Sequence, residues 1–233
     1  MATTQEFADK VCRRMAPFGE APQDLIREVT PRPGHADLLG VLKTDTDDCR
    51  NILERASARE TAARVAASGI PREFLAELGV EILSYVTSIG EASMKEDDPI
   101  AQAAQYAPLD IELSEVRCPD SGATRAMKRE IDKAIENRDS LGGTFRVVVK
   151  GLVPGLGGYA TGRDRLTSQL GAAVLSIPAI KGVEFGLGFD AARLPGSKVH
   201  DEIVLDPQTG FTRAGNNAGG LEGGMTTGLP LVI

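Results

Sequence analysis

The sequence predicts an α+β protein with largely antiparallel sheets. Glycine is the first indication: 19 of the 26 glycines lie from Gly142 onward, so a helix-rich part precedes a part made of strands and glycine turns. The second is the order of the elements. A helical pattern is followed by a strand pattern only twice, which argues against a doubly wound parallel sheet. The length of 233 residues suggests one large domain or two small ones, and no repeat of fixed period is present. We expect one domain over residues 1–233, helix-rich at 1–140 and strand- and glycine-rich at 141–233.

Loops and one strand surround the central helices of the first part. We expect a short helix over residues 5–16 and a loop over residues 17–34, which prolines and glycines punctuate. The residues from Val80 to Ile89 alternate imperfectly between apolar and polar and predict a strand. Residues 91–120 are polar and acidic, and they predict a short helix and a surface loop in which we identify no chemistry.

A serine followed three residues later by a glutamate predicts the start of the central helix. Ser57 and Glu60 have the spacing of a capping box, and alanine-rich sequence follows them. We expect this helix to end near Ser68, with Gly69 as its stop. A second short helix is then expected to begin at Pro71, since proline is favoured in the first turn of a helix.

The spacing of apolar residues predicts the helices and strands of the second part. Helical spacing predicts one helix over residues 123–138 and another from Leu166 to Ile177. Alternation predicts strands over residues 144–152 and 180–186. The apolar stripe of the first helix is expected in the core and consists of Met127, Ile131 and Ile135.

The composition excludes several classes of protein. The formal net charge of −7 argues against broad nucleic-acid binding, although a local cluster of arginines could still hold an anion. No run approaches the ~20 apolar residues of a membrane span, and the first residues lack the apolar core of a signal peptide. The cysteines, Cys12, Cys49 and Cys118, have neither metal-site spacing nor an evident disulfide framework, so a cytoplasmic protein is expected.

The start of the central helix is a candidate anion site. Arg55 and Arg59 are four residues apart, so on a helix their guanidinium groups share one face. The free N–H groups of a helix that begins at Ser57 would point at the same ligand, and this combination suits phosphate or carboxylate. The alternative is that the arginines form a solvated face and that Ser57 is only a cap.

A proline- and glycine-stiffened loop presents a candidate catalytic histidine. Arg32, His35 and Asp37 fall within six residues, and Pro33 and Gly34 restrict the backbone between them. Histidine is the side chain most easily tuned for proton transfer near neutral pH. A purely structural role for His35 remains the alternative.

Two glycine pairs lie in the segment 216–228. Paired glycines let a backbone pass close to a flat ligand or let two backbones touch, and the simpler interpretation is a tight turn at a sheet edge. The Gly-Leu-Gly at 186–188 lacks the third glycine and the helix of a dinucleotide turn, so we assign it no nucleotide. We interpret His200 as an exposed loop residue.

Five stretches, in their order and separation, resemble the chorismate synthase family. The resemblance begins near Arg13 and reaches the last residue, and several motifs of this length in the same order argue against coincidence. The stretches are Arg32–Asp37, Asn51–Ala62, Ser176–Glu184, Gly188–Arg193 with Gly196-Ser197, and Asn216–Gly220 with Gly223-Gly224.

The resemblance implies a fold and an activity. Members of this family remove phosphate from 5-enolpyruvylshikimate 3-phosphate, with loss of a ring hydrogen, to give chorismate in aromatic amino acid biosynthesis. They need reduced FMN although the reaction has no net redox change. Their fold is a β-α-β sandwich with helices packed between largely antiparallel sheets, and they are usually homotetramers. No separate nicotinamide (NADP) domain is evident here, so an outside reductant for the flavin is expected.

The resemblance also implies residue roles. His35 is expected to handle a proton beside the reduced flavin, and Arg32 and Arg59 to hold the anionic substrate. The expected FMN-binding residues are Arg55, Ala56, Ser57, Pro178, Ala179 and Gly223. Asp37 is expected to be structural and to orient its loop, and no metal site is expected.

The sequence departs from the family pattern at both ends. It has no counterpart of the segment that supplies a second histidine, or of the later lysine-proline-threonine and arginine-aspartate segments. We therefore expect the central region of such an enzyme, inactive by itself. One alternative is a self-associating structural module that binds no flavin. A weaker one is an unrelated phosphosugar- or nucleotide-binding domain.

Overall fold

The chain forms two compact units in the computed structural model, which describes residues 27–208 and 210–233. The division falls between Ala66 and Ala67. The helix expected over residues 5–16 lies outside the described residues. In the described ranges, no helix is both long enough and apolar enough to cross a membrane.

Two short helices and the start of a long one make up the described part of the first unit. These helices are α1 (Asp37–Thr44), α2 (Arg50–Arg55) and α3 (Ala58–Glu77). The end of α1 is marked by Asp45, whose left-handed backbone (φ 51°) lets its N–H bond the Val41 carbonyl. The N–H of Cys49 donates to the Glu28 carbonyl at 2.8 Å, which ties the chain before α1 to the start of α2.

The long helix α3 continues where the sequence predicts a stop. The predicted end at Gly69 and the predicted new helix at Pro71 are both wrong, because both residues lie inside α3. In a helix interior a glycine costs about 1 kcal/mol and a proline about 3 kcal/mol relative to alanine, whereas each residue added to a formed helix adds a hydrogen bond. Strong helix formers on both sides therefore carry the helix onward. It ends before Gly79, whose φ is 77°.

Short helices and antiparallel strands alternate in the second unit. Its helices are α4 (Pro99–Ala103), α5 (Pro108–Glu112), α6 (Ser121–Asn137), α7 (Leu166–Leu175) and α8 (Gly196–Val199), with a 3₁₀ turn at Gly188–Arg193. Its strands are β1 (Glu81–Ile89), β2 (Ala92–Ser93), β3 (Gly143–Lys150), β4 (Ile203–Asp206), β5 (Gly210–Arg213), β6 (Leu221–Glu222), β7 (Met225–Thr226) and β8 (Leu231–Val232). Among the described residues the paired strands are antiparallel, in agreement with the predicted α+β class.

Strands β1 and β3 form the centre of the main sheet. The strand order is β2-β1-β3-β8. Glu81 pairs with Lys150 at one end of the central pair, and Ile89 pairs with Gly143 at the other. Both strands lie where the alternation of apolar residues predicts them. The pairs β4–β5 and β6–β7 form separate two-stranded sheets.

The main core includes the two helices α4 and α5. The prediction of a surface loop within residues 91–120 is wrong here, because Ile100 and Ile111 are buried. The Asp98 carboxylate accepts hydrogen bonds from the N–H groups of Ile100 (3.2 Å) and Ala101 (2.9 Å), and a proline opens each helix. The acidic residue and the prolines are thus helix-start signals. The buried residues of this core are Leu83, Tyr85, Ile100, Ala103, Ile111, Val148 and Val232.

Helix α6 is the predicted amphipathic helix, but its stripe lies only partly in the core. Asp120 caps it and accepts a hydrogen bond from the Ala123 N–H at 2.9 Å. Met127 is fully buried in a cluster with Cys118 and Ala123. Ile135, near the other end of the stripe, is 68% exposed. The expectation that the whole stripe is core is therefore wrong for the last turns.

The predicted strand over residues 180–186 is absent from the described structure. The segment is irregular, and the Gly186 N–H donates to the Val232 carbonyl at 3.1 Å. A Cβ on Gly186 would lie 2.1 Å from the Asn217 carbonyl oxygen, and a Cβ on Gly219 would lie 2.3 Å from the Gly186 nitrogen. Two backbones touch here, which is one of the roles predicted for the glycine pairs.

Candidate functional site

A buried aspartate organises the loop that precedes α1. The Asp37 side chain is only 1% exposed. Its Oδ2 accepts hydrogen bonds from Arg32 Nε (2.8 Å) and from the Arg32 backbone N–H (3.1 Å), and its Oδ1 accepts one from Arg32 Nη2 (3.2 Å). These bonds, chiefly the one from the Arg32 side chain, hold the pKa of Asp37 well below its usual range in spite of its burial. The same pair raises the pKa of Arg32.

The histidine of this loop is oriented by the same carboxylate. His35 Nδ1 lies 2.5 Å from Asp37 Oδ1, and Arg32 Nη2 lies 3.0 Å from both ring nitrogens. A guanidinium only donates hydrogen bonds, so it can bond only a ring nitrogen without a proton. We therefore assign the proton of the neutral ring to Nδ1, which donates to Asp37, and the lone pair to Nε2. With a quarter of its side chain exposed, His35 can exchange a proton with a bound molecule.

Asp37 therefore has the orienting role expected from the sequence. It fixes both the position of Arg32 and the tautomer of His35, as a carboxylate behind a catalytic histidine does. The burial of Cys49, which raises the pKa of its thiol, shows how little water reaches the back of this loop.

The junction between α2 and α3 differs from the predicted capping box. The helix begins at Ala58, one residue after the predicted first residue. Ser57 Oγ donates to the Glu54 carbonyl at 3.1 Å, and the Glu60 N–H donates to the Ser57 carbonyl at 3.0 Å. The serine hydroxyl therefore closes the end of α2 rather than capping α3. The break at Ala56 and Ser57 also means that the predicted single helix face does not exist.

Two crossed ion pairs connect the helices at this junction. Arg55, the last residue of α2, pairs with Glu60, and Arg59, in the first turn of α3, pairs with Glu54. The arginine side chains are 76% and 70% exposed, so both guanidinium groups remain accessible from solvent. Because each faces a carboxylate, an anion that binds here must compete with, or add to, that pairing.

The glycine-rich end contains a two-residue hairpin turn. Gly223 and Gly224 connect β6 to β7, with φ of 59° and 91°. Both angles belong to the type I′ turn that joins two-residue hairpins. A Cβ on Gly224 would lie 2.5 Å from the Arg165 side chain, whereas one on Gly223 would have no atom within 4 Å. The backbone of Gly223 is thus open to close approach by a flat group.

A cavity of about 650 Å³ lies where the start of β3 faces the segment after α7. Ala179 lines it and has a left-handed backbone (φ 68°), which costs a non-glycine residue about 1–2 kcal/mol. Strain of this kind is concentrated at ligand-binding sites. Pro178 precedes Ala179 and is not among the lining residues, and neither is Gly223.

Sequence reasoning missed a buried charged network beside this cavity. Arg146 Nη1 lies 3.0 and 2.9 Å from the two Glu96 oxygens and donates to the Tyr85 hydroxyl at 3.1 Å. The Tyr106 hydroxyl donates to Glu96 at 3.0 Å, and burial and this bond raise the pKa of Tyr106. The available signal was an arginine next to a run of three valines in a strand. Its partner Glu96, however, lies 50 residues away in the sequence.

The expected site residues lie in four places. Arg32 and His35 meet at Asp37, while Arg55, Ala56, Ser57 and Arg59 lie at the α2–α3 junction of the same unit. In the second unit Ala179 lines the cavity and Gly223 lies on a hairpin. In the described ranges there is no cluster of histidine, cysteine and acidic residues that could hold a metal ion.

Comparisons with known proteins agree on one family. A family model described as chorismate synthase matches residues 8–233. The chorismate synthase of Bacillus velezensis is 48% identical over 220 residues, which cover 92% of this chain and 55% of that protein. The chorismate synthase of Bacillus subtilis is 47% identical, with 94% and 56% covered. A solved structure described as chorismate synthase superposes with a TM-score of 0.80 at 45% identity, covering 84% of this chain and 60% of the other. The chain spans about half the length of these curated relatives.

Proposed function

The chain belongs to the chorismate synthase family, and we propose that it contributes to the conversion of 5-enolpyruvylshikimate 3-phosphate to chorismate and phosphate. In this elimination a ring C–H bond and the C–O bond to phosphate break and a C=C bond forms, without net oxidation or reduction. The observation that supports the proposal is the loop in which buried Asp37 holds both Arg32 and His35.

His35 is the proton-handling residue of this proposal. Because the Nδ1–H of His35 donates to Asp37, the lone pair lies on Nε2, where Arg32 Nη2 donates to it from 3.0 Å. Nε2 can accept a proton from, or return one to, the bound partners once Arg32 Nη2 turns from it to the substrate anion. The buried carboxylate stabilises the imidazolium that forms when Nε2 is protonated. His35 is thereby held in one orientation while its charge changes.

Arginines are proposed to bind the anionic substrate. Nε and Nη2 of Arg32 are bonded to Asp37, whereas its Nη1 has no hydrogen-bond partner among the described residues and can donate to a phosphate or carboxylate. Arg59 is exposed and can exchange Glu54 for a substrate anion. Both roles suit a substrate that carries a phosphate and two carboxylates.

The residues proposed to hold reduced FMN are Arg55, Ala56, Ser57, Pro178, Ala179 and Gly223. Two observations fit a flat, phosphate-bearing cofactor: the strained Ala179 on the wall of a cavity of about 650 Å³, and the open space beside Gly223. The chemistry that reduced FMN supplies when bound is transient donation of electron density, which helps the phosphate to leave. The chain's own part is to position the cofactor and to exclude water.

A homotetrameric, cytoplasmic enzyme that receives its reduced flavin from an outside reductant completes the proposal. Exposed apolar side chains on and beside α3 and α5 support association between copies; they are Phe74, Leu78, Leu109 and Leu113. The same observation favours the second candidate function, a self-associating module that binds no flavin.

Titration of the chain with FMN, followed by flavin fluorescence, tests the proposal. Saturable quenching is expected, and addition of 5-enolpyruvylshikimate 3-phosphate should change the flavin absorbance. Arg59→Gln should weaken the absorbance change caused by the substrate and leave the quenching by FMN binding unchanged. Phosphate release by this chain alone is expected to be undetectable, and turnover like that of a full-length relative would contradict that expectation. Self-association in light scattering without any quenching would favour the second candidate.

A further inference from the structure

Arg146 has a largely buried side chain, is held by neighbouring side chains, and also lines the cavity. It lies on β3 between Phe145 and Val147, its side chain is 16% exposed, and it is one of the residues that line the cavity of about 650 Å³. Lys181 is the other basic lining residue and Glu184 the acidic one. A guanidinium in this position is expensive to bury unless its hydrogen bonds are satisfied.

Only one edge of the Arg146 guanidinium is used by the described residues. All three of its hydrogen bonds, to the two Glu96 oxygens and to the Tyr85 hydroxyl, come from Nη1. A guanidinium has five N–H groups, so those of Nε and Nη2 are left without a partner in the part of the chain that the structure describes. Such a charged donor pair matches the two oxygens of a phosphate or carboxylate.

Glu96 fixes this arrangement from behind. Its side chain is 5% exposed and is also bonded by the Tyr106 hydroxyl at 3.0 Å, so it cannot easily follow the arginine into the cavity. The Arg146 guanidinium also lies 5.8 Å from the centre of the Tyr85 ring, which packs against Tyr106 at 5.1 Å. Burial by itself would lower the pKa of Arg146, but its bonds to Tyr85 and Glu96 outweigh burial and raise it. The group is therefore always charged.

We propose that Arg146 is a ligand-binding residue of this cavity, which donates from Nε and Nη2 to an anionic group of the occupant. Glu96 acts as the positioning residue of Arg146. Because the Glu96 carboxylate neutralises the guanidinium charge as felt from far away, Arg146 attracts the anion only at hydrogen-bond range. The inference rests on the proposed function, which supplies two sources of such a group, the phosphate of FMN and the anions of the substrate. The strained backbone of Ala179 on the same cavity wall independently indicates a binding site.

The test compares Arg146→Met with Lys150→Met in the full chain. Lys150 lies on the same strand, faces Glu81 at 3.5 Å and does not line the cavity, so its removal changes the net charge equally. FMN, riboflavin and inorganic phosphate are titrated separately. Arg146→Met should weaken FMN binding by about 10- to 100-fold, as expected for hydrogen bonds to a charged group, and Lys150→Met should leave it unchanged.

The three ligands distinguish the possible sources. Loss confined to FMN and phosphate assigns Arg146 to the cofactor phosphate. Loss confined to inorganic phosphate assigns it to a substrate anion. Both of these results support the proposal, whereas equal loss for FMN and riboflavin would place Arg146 at the flavin ring, which carries no phosphate or carboxylate, and would overturn it. If the wild type binds phosphate through Arg146 but no flavin, the proposed function fails and the inference stands.

A purely structural ion pair predicts a different outcome. Arg146→Met would then lower the midpoint of thermal unfolding, while the folded protein bound all three ligands as tightly as the wild type, and this would overturn the proposal. Arg146→Lys covers the case in which the methionine variant does not fold. It keeps the charge beside Glu96 but removes the second donor edge, so we expect several-fold weaker binding with little loss of stability. Unchanged binding by that variant would also overturn the proposal.

Discussion

The Pro-Gly loop and the α2–α3 junction use the same residue types in opposite ways. In the loop a carboxylate that is 1% exposed holds Arg32 and His35 from behind. At the junction two arginines that are more than two thirds exposed pair with Glu54 and Glu60. A buried carboxylate fixes the positions of the side chains bonded to it, whereas an ion pair made by an exposed arginine contributes little to stability. The loop is therefore built to keep one arrangement, and the junction can exchange partners.

Asp37→Asn should have the largest effect. The amide cannot match the charge of Arg32 or orient His35 as a carboxylate does, so we expect the midpoint of thermal unfolding to fall by several degrees. Asp47→Asn is the matched control, since Asp47 belongs to an exposed pair with Arg27 and should be almost neutral. Equal effects of the two variants would remove the contrast between buried and exposed carboxylates.

The stability that Asp37 contributes should depend on pH in one direction. Its pKa is lowered in the folded chain, chiefly by the hydrogen bond from Arg32, and is about 3.9 in an unfolded one. The contribution is then fully present above about pH 4 and is lost as the pH falls toward the folded pKa. Thermal unfolding from pH 2 to 7 should show the wild type and Asp37→Asn converging in acid. A constant difference across that range would contradict the assignment.

Ser57→Ala should have a smaller effect than loss of a helix cap. Ser57 Oγ donates to the Glu54 carbonyl and is bonded by no N–H of α3 among the described residues, so removal should cost about 0.5–1.5 kcal/mol, the range of an ordinary hydrogen bond. Urea denaturation measures this cost. A loss near 2 kcal/mol, the upper range for an N-cap, would mean that the serine does cap α3.

Arg55→Gln and Arg59→Gln should have the smallest effects on stability. Each removes an exposed arginine from a pair whose carboxylate, Glu60 or Glu54, is only 20% or 36% exposed, so the free energy of unfolding should change by less than about 1 kcal/mol. Binding of inorganic phosphate should nevertheless weaken several-fold in both variants, as isothermal titration can measure. A large loss of stability with unchanged phosphate binding would show that the ion pairs of the junction, like those of the loop, fix the structure rather than bind an anion.

Local signals predicted the elements that local physics determines. The alternation of Phe145, Val147 and Val149 placed β3, and the apolar spacing around Met127 placed α6. The same approach failed for α3, because Gly69 and Pro71 were given more weight than helix growth across them. Within residues 91–120 the expected short helix is accompanied by a second one in place of the expected surface loop, because a capping aspartate looks like any loop aspartate until its N–H partners are known.

Contacts between distant residues explain what the sequence could not show at the candidate site. The residues from Arg32 to Asp37 were found because they lie together in the chain. The partnership of Arg146 with Glu96 was not, because 50 residues separate them and nothing in either neighbourhood indicates the other. Residue types indicated an anion site at Arg55 and Arg59, but only coordinates show their crossed pairing.

The hairpin turn at Gly223 and Gly224 has a consequence for the substitutions that the chain tolerates. Both positions have a left-handed backbone, which asparagine and aspartate adopt more readily than other residues with a side chain. At 223 there is room for either, whereas at 224 any side chain would collide with Arg165. A library randomised at both codons and selected for folding should therefore retain glycine, asparagine and aspartate at position 223 and glycine alone at position 224.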